Sequence, residues 1–238
     1  AIATARYARQ LINEGAIGNI VSAQMRGKED HRGGGEDLMV LGTHAMDLLR
    51  YLLGRNPMWV FATVTMDDGR AVMLGEAVDG PEELGLIAGD RIHALYGFGN
   101  GVTATFESRR NQEDANRFGL QIFGTRGIMT VYNLSQDIHI YEAPYWRPDR
   151  TVLVRDVCLE AEKNAPSAHS FQSPQMEGNA IIVREILQAR EEGRRPISSG
   201  HDGRWALEMI HGIYASHMEG GRVNLPLVNR DHPLSNYD

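Results

Sequence analysis

The sequence contains almost no cysteine and lacks several patterns that mark large classes of protein. Cys158 is the single cysteine in 238 residues, so an intramolecular disulfide cannot form. This composition favours a reducing compartment, and we expect a cytoplasmic protein. There is no run of about 18 apolar residues, and no signal peptide is visible, so the sequence predicts no membrane partner.

Concentrated positive charge is also absent. The formal net charge is −7, and the densest basic clusters are the dipeptides Arg109–Arg110 and Arg194–Arg195. A nucleic-acid-binding domain usually carries a basic stripe or patch. We therefore predict no nucleic-acid partner.

The dinucleotide-binding fingerprint is missing as well. The glycines in Gly97-Phe-Gly99-Asn-Gly101 are spaced suggestively, but they lie between two predicted strands. The fingerprint needs a strand before it and a helix after it, so we interpret this segment as a hairpin turn. A P-loop, a CxxC pair and a GxSxG elbow are absent too. The chain by itself is predicted to bind neither NAD nor NADP.

The elements that are present predict one α+β domain over residues 1–238. Helical periodicity marks 3–14, 37–53, 174–192 and 201–219, and 66–89 reads mostly as loop. Strand patterns mark 19–26, 59–65, 91–98, 102–108, 118–123, 128–132, 137–141 and 151–157. Because short glycine turns join neighbouring strands, we predict an open, mostly antiparallel sheet with helices covering one face. The uncovered face predicts a homo-oligomer.

The stretch from Gly33 to Gly54 carries the strongest candidate site. Three glycines lead into the helix predicted over 37–53, whose first amides could face a polar ligand. One stripe of that helix holds Asp37, Val40, His44, Asp47 and Tyr51, beside a broad apolar face. His44 is the main candidate for a general base, because the ordinary imidazole pKa of about 6.5 suits proton transfer near neutral pH. The alternative is a structural histidine.

Other polar residues are candidates to bind a substrate. Lys28 and His31 precede the glycines and can line the same cleft, while His169 lies in a polar loop that could reach it. Asp37 and Asp47 are candidates to contact substrate hydroxyls from the helix.

A metal site is a weaker possibility. His31, Glu36, Asp37 and His44 are all of ligand types that metals accept. Glu36 and Asp37 are adjacent, however, and adjacent side chains on a helix point about 100° apart. No HxxxH or HExxH spacing is present, so we predict no metal. The two acids equally suit the positive end of the helix dipole.

Six segments occur in a characteristic order along the chain. They are Glu14-Gly-Ala-Ile-Gly-Asn-Ile20, Gly33-Gly-Gly35, Leu41-Gly-Thr-His-Ala-Met-Asp-Leu-Leu-Arg-Tyr-Leu-Leu-Gly54, Phe123-Gly-Thr-Arg-Gly127, and Asp202-Gly-Arg-Trp-Ala-Leu-Glu-Met-Ile210 with Val223-Asn-Leu-Pro-Leu227. Together they resemble the second domain of the Gfo/Idh/MocA oxidoreductases, the glucose–fructose oxidoreductase and inositol dehydrogenase family. The resemblance extends over nearly the whole chain.

The resemblance implies a function for this stretch. Members of the family oxidise or reduce a hydroxyl or carbonyl of sugars, inositols and related polyols by hydride transfer with NAD or NADP. It implies that His44 is the catalytic histidine, and that the free face of the sheet forms a homo-oligomer interface.

The sequence departs from the family pattern in two places. The Rossmann domain with its Glu-Lys-Pro motif is missing, so we expect this chain to be part of a longer protein whose other domain binds the cofactor. Many members also carry an aspartate four residues before the histidine, where this chain has Val40. Along a continuous helix, Asp37 is separated from His44 by a rise of about 10 Å. Asp47 lies one turn after His44 and could orient the imidazole ring. A non-catalytic module of the same family, one that dimerises or binds a sugar, is the alternative.

Overall fold

The computed structural model describes residues 3–110, 118–132, 138–142, 154–157 and 174–235. In these ranges the chain forms a nine-stranded sheet and a separate two-stranded hairpin. The helices Gly42–Leu53 and Gly200–Glu219 contact strands of the large sheet. Of the predicted site residues, His169 lies outside the described ranges.

Five helices are described, and their bounds follow the periodic segments closely. They are α1 (Ala3–Asn13), α2 (Gly35–Val40), α3 (Gly42–Leu53), α4 (Pro174–Glu191) and α5 (Gly200–Glu219). No helix in the described part of the chain is long and apolar enough to cross a membrane.

The prediction of one continuous helix over 37–53 was wrong, because the helix breaks at Leu41 between α2 and α3. The break has a local cause. The Thr43 hydroxyl donates to the Val40 carbonyl at 3.0 Å, and in a continuous helix that carbonyl would accept from the N–H of His44. The His44 N–H donates to the Leu41 carbonyl instead, at 3.1 Å.

The strands also lie close to their predicted positions. They are β1 (Ile20–Arg26), β2 (Trp59–Thr65), β3 (Val78–Asp79), β4 (Leu86–Ile87), β5 (Arg91–Gly97), β6 (Thr103–Arg109), β7 (Gly119–Gly124), β8 (Ile128–Tyr132), β9 (Ile138–Tyr141), β10 (Val154–Val157) and β11 (Val223–Asn224). The two-residue strands β3 and β4 pair with each other inside the segment predicted to be mostly loop.

The large sheet has the order β10-β9-β8-β7-β1-β6-β5-β2-β11. The two predicted hairpins, β5–β6 and β7–β8, are confirmed as antiparallel pairs. Strand β1 lies between them, antiparallel to β7 and parallel to β6. The sheet is therefore mixed at its centre and antiparallel elsewhere.

The two faces of the sheet differ in what covers them. On the helix side, the alternating residues Val60, Ala62 and Val64 of β2 are buried in a core that includes α3 and α5. On the other side of β2, Phe61 is 44% exposed. The alternation of apolar and polar residues along the strands thus places the core on one face and leaves the other open.

Candidate functional site

His44 is exposed near the start of α3, while its neighbours Ala45 and Met46 are buried in the core. The imidazole therefore faces away from the sheet and toward solvent. Val40, the residue four positions earlier, is half-buried, so the turn before the histidine offers it no carboxylate. This arrangement leaves His44 accessible to a small molecule from outside the domain.

Asp47 is one turn after His44 on the same helix. Its side chain is 39% exposed, and Oδ1 lies 3.5 Å from a terminal nitrogen of Arg50. Burial raises the pKa of Asp47, and Asp202 raises it further, while Arg50 and, more weakly, His44 lower it. The Asp47 carboxylate therefore lies beside Arg50, partly exposed on α3.

Asp37 has a different environment from the one expected. Its side chain is fully buried, and its carboxylate accepts a hydrogen bond from the Ser108 hydroxyl at 2.5 Å. The backbone amides of Lys28 and Glu29 also donate to it, each at 3.2 Å. Asp37 and His44 therefore face in different directions, and Asp37 anchors the loop that follows β1.

That loop brings Lys28 and His31 together around one acid. Asp30 lies 3.1 Å from Lys28 Nζ and 3.9 Å from His31 Nδ1. A hydrogen bond from Arg32 holds the pKa of Asp30 well below its usual range, against the opposing effect of burial. His31 is 82% exposed, so its ring projects from the loop into solvent. In the described part of the chain, no hydrogen bond or ion pair joins this loop to His44.

The glycines before α2 are needed for close backbone packing. A Cβ on Gly33, Gly34 or Gly35 would lie within 2.5 Å of the carbonyl oxygens of Arg109, Gly89 or Ala88, respectively. The nearby amides are also bonded within the protein, with Gly34 N–H donating to Ser108 Oγ and Gly35 N–H to the Gly89 carbonyl. The helix start is therefore closed by the chain itself and is not open to a polar ligand.

The structure does not assemble the metal ligands considered above. His31 and His44 are exposed, whereas Asp37 is buried beneath the loop. Among the described residues, no group of three histidine, cysteine, aspartate or glutamate side chains could hold a metal ion. A metal site built on His31, Asp37 and His44 therefore has no support in the described part of the chain.

The glycine segment from Gly97 to Gly101 does not form a dinucleotide-binding loop. Gly99 to Gly101 form the turn of the β5–β6 hairpin, in which Asn100 takes a left-handed conformation with φ 63°. The three residues form a single 3-10 turn that leads into β6, and no α-helix follows to present its amides to a pyrophosphate, as dinucleotide binding would need. The glycine segment is the hairpin turn that the sequence predicts.

Sequence reasoning missed two residues that shape this region. Ser108 occupies a buried position in β6 that alternates with Phe106 and Ala104, and a polar residue in such a position was the available signal. Arg50 is buried on the core side of α3 and lies three residues after Asp47, the spacing of an intrahelical ion pair.

Solved structures with the same fold come from oxidoreductases. An oxidoreductase domain protein from Kribbella flavida superimposes with a TM-score of 0.68 at 18% identity, over 94% of this chain and 63% of the other. Levoglucosan dehydrogenase in complex with NADH and levoglucosan superimposes with a TM-score of 0.65 at 21% identity. The match covers 92% of this chain and 62% of the other. An aldose–aldose oxidoreductase from Caulobacter crescentus complexed with glycerol superimposes with a TM-score of 0.61 at 21% identity. The match covers 94% of this chain and 61% of the other. The present chain thus spans less than two thirds of the length of these three proteins.

The chain therefore shares its fold with a part of each of these three proteins. The family model for the GFO/IDH/MocA C-terminal domain matches residues 5–130, more than half of the chain. The chain belongs to the Gfo/Idh/MocA family, as the resemblance of its motifs implies. A comparison with curated protein sequences finds no match.

Proposed function

We propose that this chain is the substrate-binding and catalytic-histidine domain of an NAD(P)-dependent oxidoreductase that acts on a hydroxyl or carbonyl of a sugar, inositol or related polyol. The observation that carries the proposal is the exposed imidazole of His44 on α3 in a domain of this family. The levoglucosan dehydrogenase and aldose–aldose oxidoreductase of the same fold support the substrate class.

The chemistry assigned to this chain is proton transfer. His44 takes the proton of the substrate hydroxyl at one ring nitrogen, as a general base. The nicotinamide supplies the hydride acceptor when it is bound. Because the glycine segment 97–101 is a hairpin turn, we assign NAD or NADP to another domain of the full-length protein. Lys28 and His31, on the loop anchored by Asp37, are the proposed contacts for substrate hydroxyls, together with His169.

The open face of the sheet is the proposed interface of a homo-oligomer. Phe61 and Leu95 face each other across β2 and β5 on that side, and Phe61 is well exposed. An apolar pair of this kind favours burial against a second copy. The single cysteine is consistent with a cytoplasmic protein.

The second candidate function is a non-catalytic module that dimerises or binds a sugar. Val40 favours it, because the turn before His44 lacks the carboxylate that many family members have. The gene sequence upstream of Ala1 separates the two candidates. A strand, a GxGxxG loop and a helix encoded there support the enzyme, whereas a start codon close to Ala1 supports the module.

Turnover in the full-length protein tests the enzymatic proposal. Nicotinamide absorbance is followed with a panel of sugars and polyols, using wild type and His44→Ala. Loss of a general base lowers kcat by about 10²–10⁴. His201→Gln, which removes an exposed histidine at the start of α5, is the matched control and keeps wild-type turnover. Full activity of His44→Ala at saturating substrate and cofactor would rule out the assigned role.

A further inference from the structure

A strap of residues 223–235 packs against the last helix, α5. The strap begins as β11, which pairs with β2 at the edge of the large sheet. A Cβ added to Gly212 of α5 would lie 3.0 Å from a methyl carbon of Leu225, so the absence of a side chain lets the strap approach closely there. Further along the strap, the rings of His211 and His232 meet edge to face, with centroids 4.7 Å apart. The strap is therefore fixed to α5 at two separate places.

A buried carboxylate holds the segment between these two places. The side chain of Glu208 on α5 is only 3% exposed. Its Oε1 accepts a hydrogen bond from the N–H of Leu227, and its Oε2 pairs with Nη1 of Arg230, which also belongs to the strap. Among the described residues, Nε and Nη2 of Arg230 form no hydrogen bond. The charge of Glu208 is thus neutralised by the protein, while part of the Arg230 guanidinium remains available to a ligand.

A cavity of about 150 Å³ lies between α5 and the strap. Roughly 10–15 Å³ of such volume is enough for one water molecule, so this cavity has room for a small ligand. Its polar lining includes Arg204, His211 and Arg230, and Leu207 and Leu227 contribute apolar surface. The lining is therefore richer in nitrogen donors than in acceptors.

The charges around the cavity do not cancel. Arg204 is exposed and forms no hydrogen bond or ion pair with any described residue, although its guanidinium carbon lies 5.7 Å from the ring centroid of Trp205. Burial lowers the pKa of His211, and His232 lowers it further, against the opposing effect of Glu208. His211 is thus neutral near pH 7. Two arginines and one glutamate leave an excess of one positive charge.

We propose that this cavity binds a small oxyanion, a carboxylate or a phosphate group, between Arg204 and Arg230. Guanidinium groups present several N–H donors in one plane and bind such oxygens through charge-assisted hydrogen bonds. The neutral ring of His211 adds one more N–H donor. Glu208 does not compete with the anion, because its two oxygens are already bonded to the strap. His44 does not line this cavity, so the inference is independent of the proposed catalytic role.

NMR titration of the 238-residue chain tests the proposal without a contribution from a separate cofactor domain. The ring signal of His211, assigned from His211→Gln, reports on the cavity. Inorganic phosphate and acetate are added in separate titrations, and sodium chloride at matched ionic strength is the reference. At least one of the two oxyanions is expected to shift the signal to a plateau, while chloride does not. Which of them does so identifies the group that the cavity accepts.

Two arginine variants test whether the cavity recognises the anion by charge. Arg204→Met is expected to weaken binding about tenfold or more, because one charged hydrogen-bonding partner is lost. Arg222→Met is the matched control. Arg222 is also exposed, its guanidinium carbon lies 5.3 Å from the ring centroid of Trp59, and it does not line the cavity. The control is expected to keep the affinity of the wild-type chain.

The inference is overturned if neither oxyanion shifts the His211 signal more than chloride does. Equal affinities in Arg204→Met and Arg222→Met would overturn it as well. Arg230→Met would also leave the buried Glu208 carboxylate without its ion-pair partner, so the decision rests on Arg204→Met. Because Arg204 has no polar partner among the described residues, its replacement is expected to keep the fold, and circular dichroism verifies this for each variant.

Discussion

The Ser108 hydroxyl donates a hydrogen bond to the Asp37 carboxylate at 2.5 Å across 71 residues of sequence. Both side chains are fully buried. The same hydroxyl oxygen accepts the N–H of Gly34 at 3.0 Å. This one serine therefore joins β6 to α2 and to the glycine segment that precedes it, and it supports the loop that carries the proposed substrate contacts.

Ser108→Ala is expected to lower the free energy of unfolding by about 1–3 kcal/mol. The buried Asp37 carboxylate loses a donor, and the Gly34 N–H loses its acceptor. Urea unfolding followed by circular dichroism measures the change. Thr105→Ala is the matched control, because Thr105 lies on the same strand but on the open face. Equal losses in the two variants would contradict the role given to Ser108.

Gly34→Ala is expected to destabilise the fold by about 3 kcal/mol or more, because strain and a backbone clash act together. Gly34 has φ +83°, and an added Cβ would lie 2.4 Å from the Gly89 oxygen. Gly69 has a similar φ of +87° with nothing within 4 Å, so Gly69→Ala isolates the backbone strain. That control is expected to cost about 1–2 kcal/mol. Thermal unfolding measures the stability of both variants. Similar losses of stability in Gly34→Ala and Gly69→Ala would show that packing against Gly89 is unimportant.

Asp30→Asn is expected to reduce stability at neutral pH by about 1–2 kcal/mol. The hydrogen bond from Arg32 lowers the pKa of Asp30 in the folded state. A carboxyl group with a lowered folded pKa stabilises the fold above its unfolded pKa, about 3.9, and loses that contribution as the pH falls further. The difference in stability between Asp30→Asn and wild type should therefore become smaller in acid. Thermal unfolding in neutral and acidic buffers measures it, and a gap that widens in acid would refute the assignment.

Leu95→Glu is expected to weaken self-association at least about tenfold, because it places a charge in the proposed sheet-face interface. Leu187→Glu is the control, since Leu187 is also exposed but lies on α4, whose Glu185 forms an ion pair with Arg6 of α1. Sedimentation velocity over a range of concentrations measures both. A wild-type chain that is monomeric at every concentration, or equal effects of the two variants, would remove the open face as the interface.

Local patterns predicted the parts of the fold that depend on near neighbours. The β5–β6 and β7–β8 hairpins follow from turn residues and strand periodicity within short windows. These contacts involve residues only a few positions apart, so the sequence alone carries their signal.

The parts that were not predicted depend on distant contacts. Helix periodicity placed Asp37 and His44 on one stripe, but the break at Leu41 and the hydrogen bond from Ser108 turn the carboxylate inward. A helical wheel assumes a continuous helix and contains no information about a strand 71 residues away. The burial of Arg50 against Asp202 was hidden for the same reason, since the two are 152 residues apart.

The sequence by itself determined the α+β class, the one-sided burial of the sheet and the family of the chain, because these follow from periodicity, turn chemistry and the order of motifs. Three features depended on the tertiary structure: the parallel pairing of β1 with β6, the close backbone packing of the three glycines, and the burial of Asp37 against Ser108. Each of these features depends on contacts between segments that are distant in sequence, and local sequence patterns do not specify such contacts.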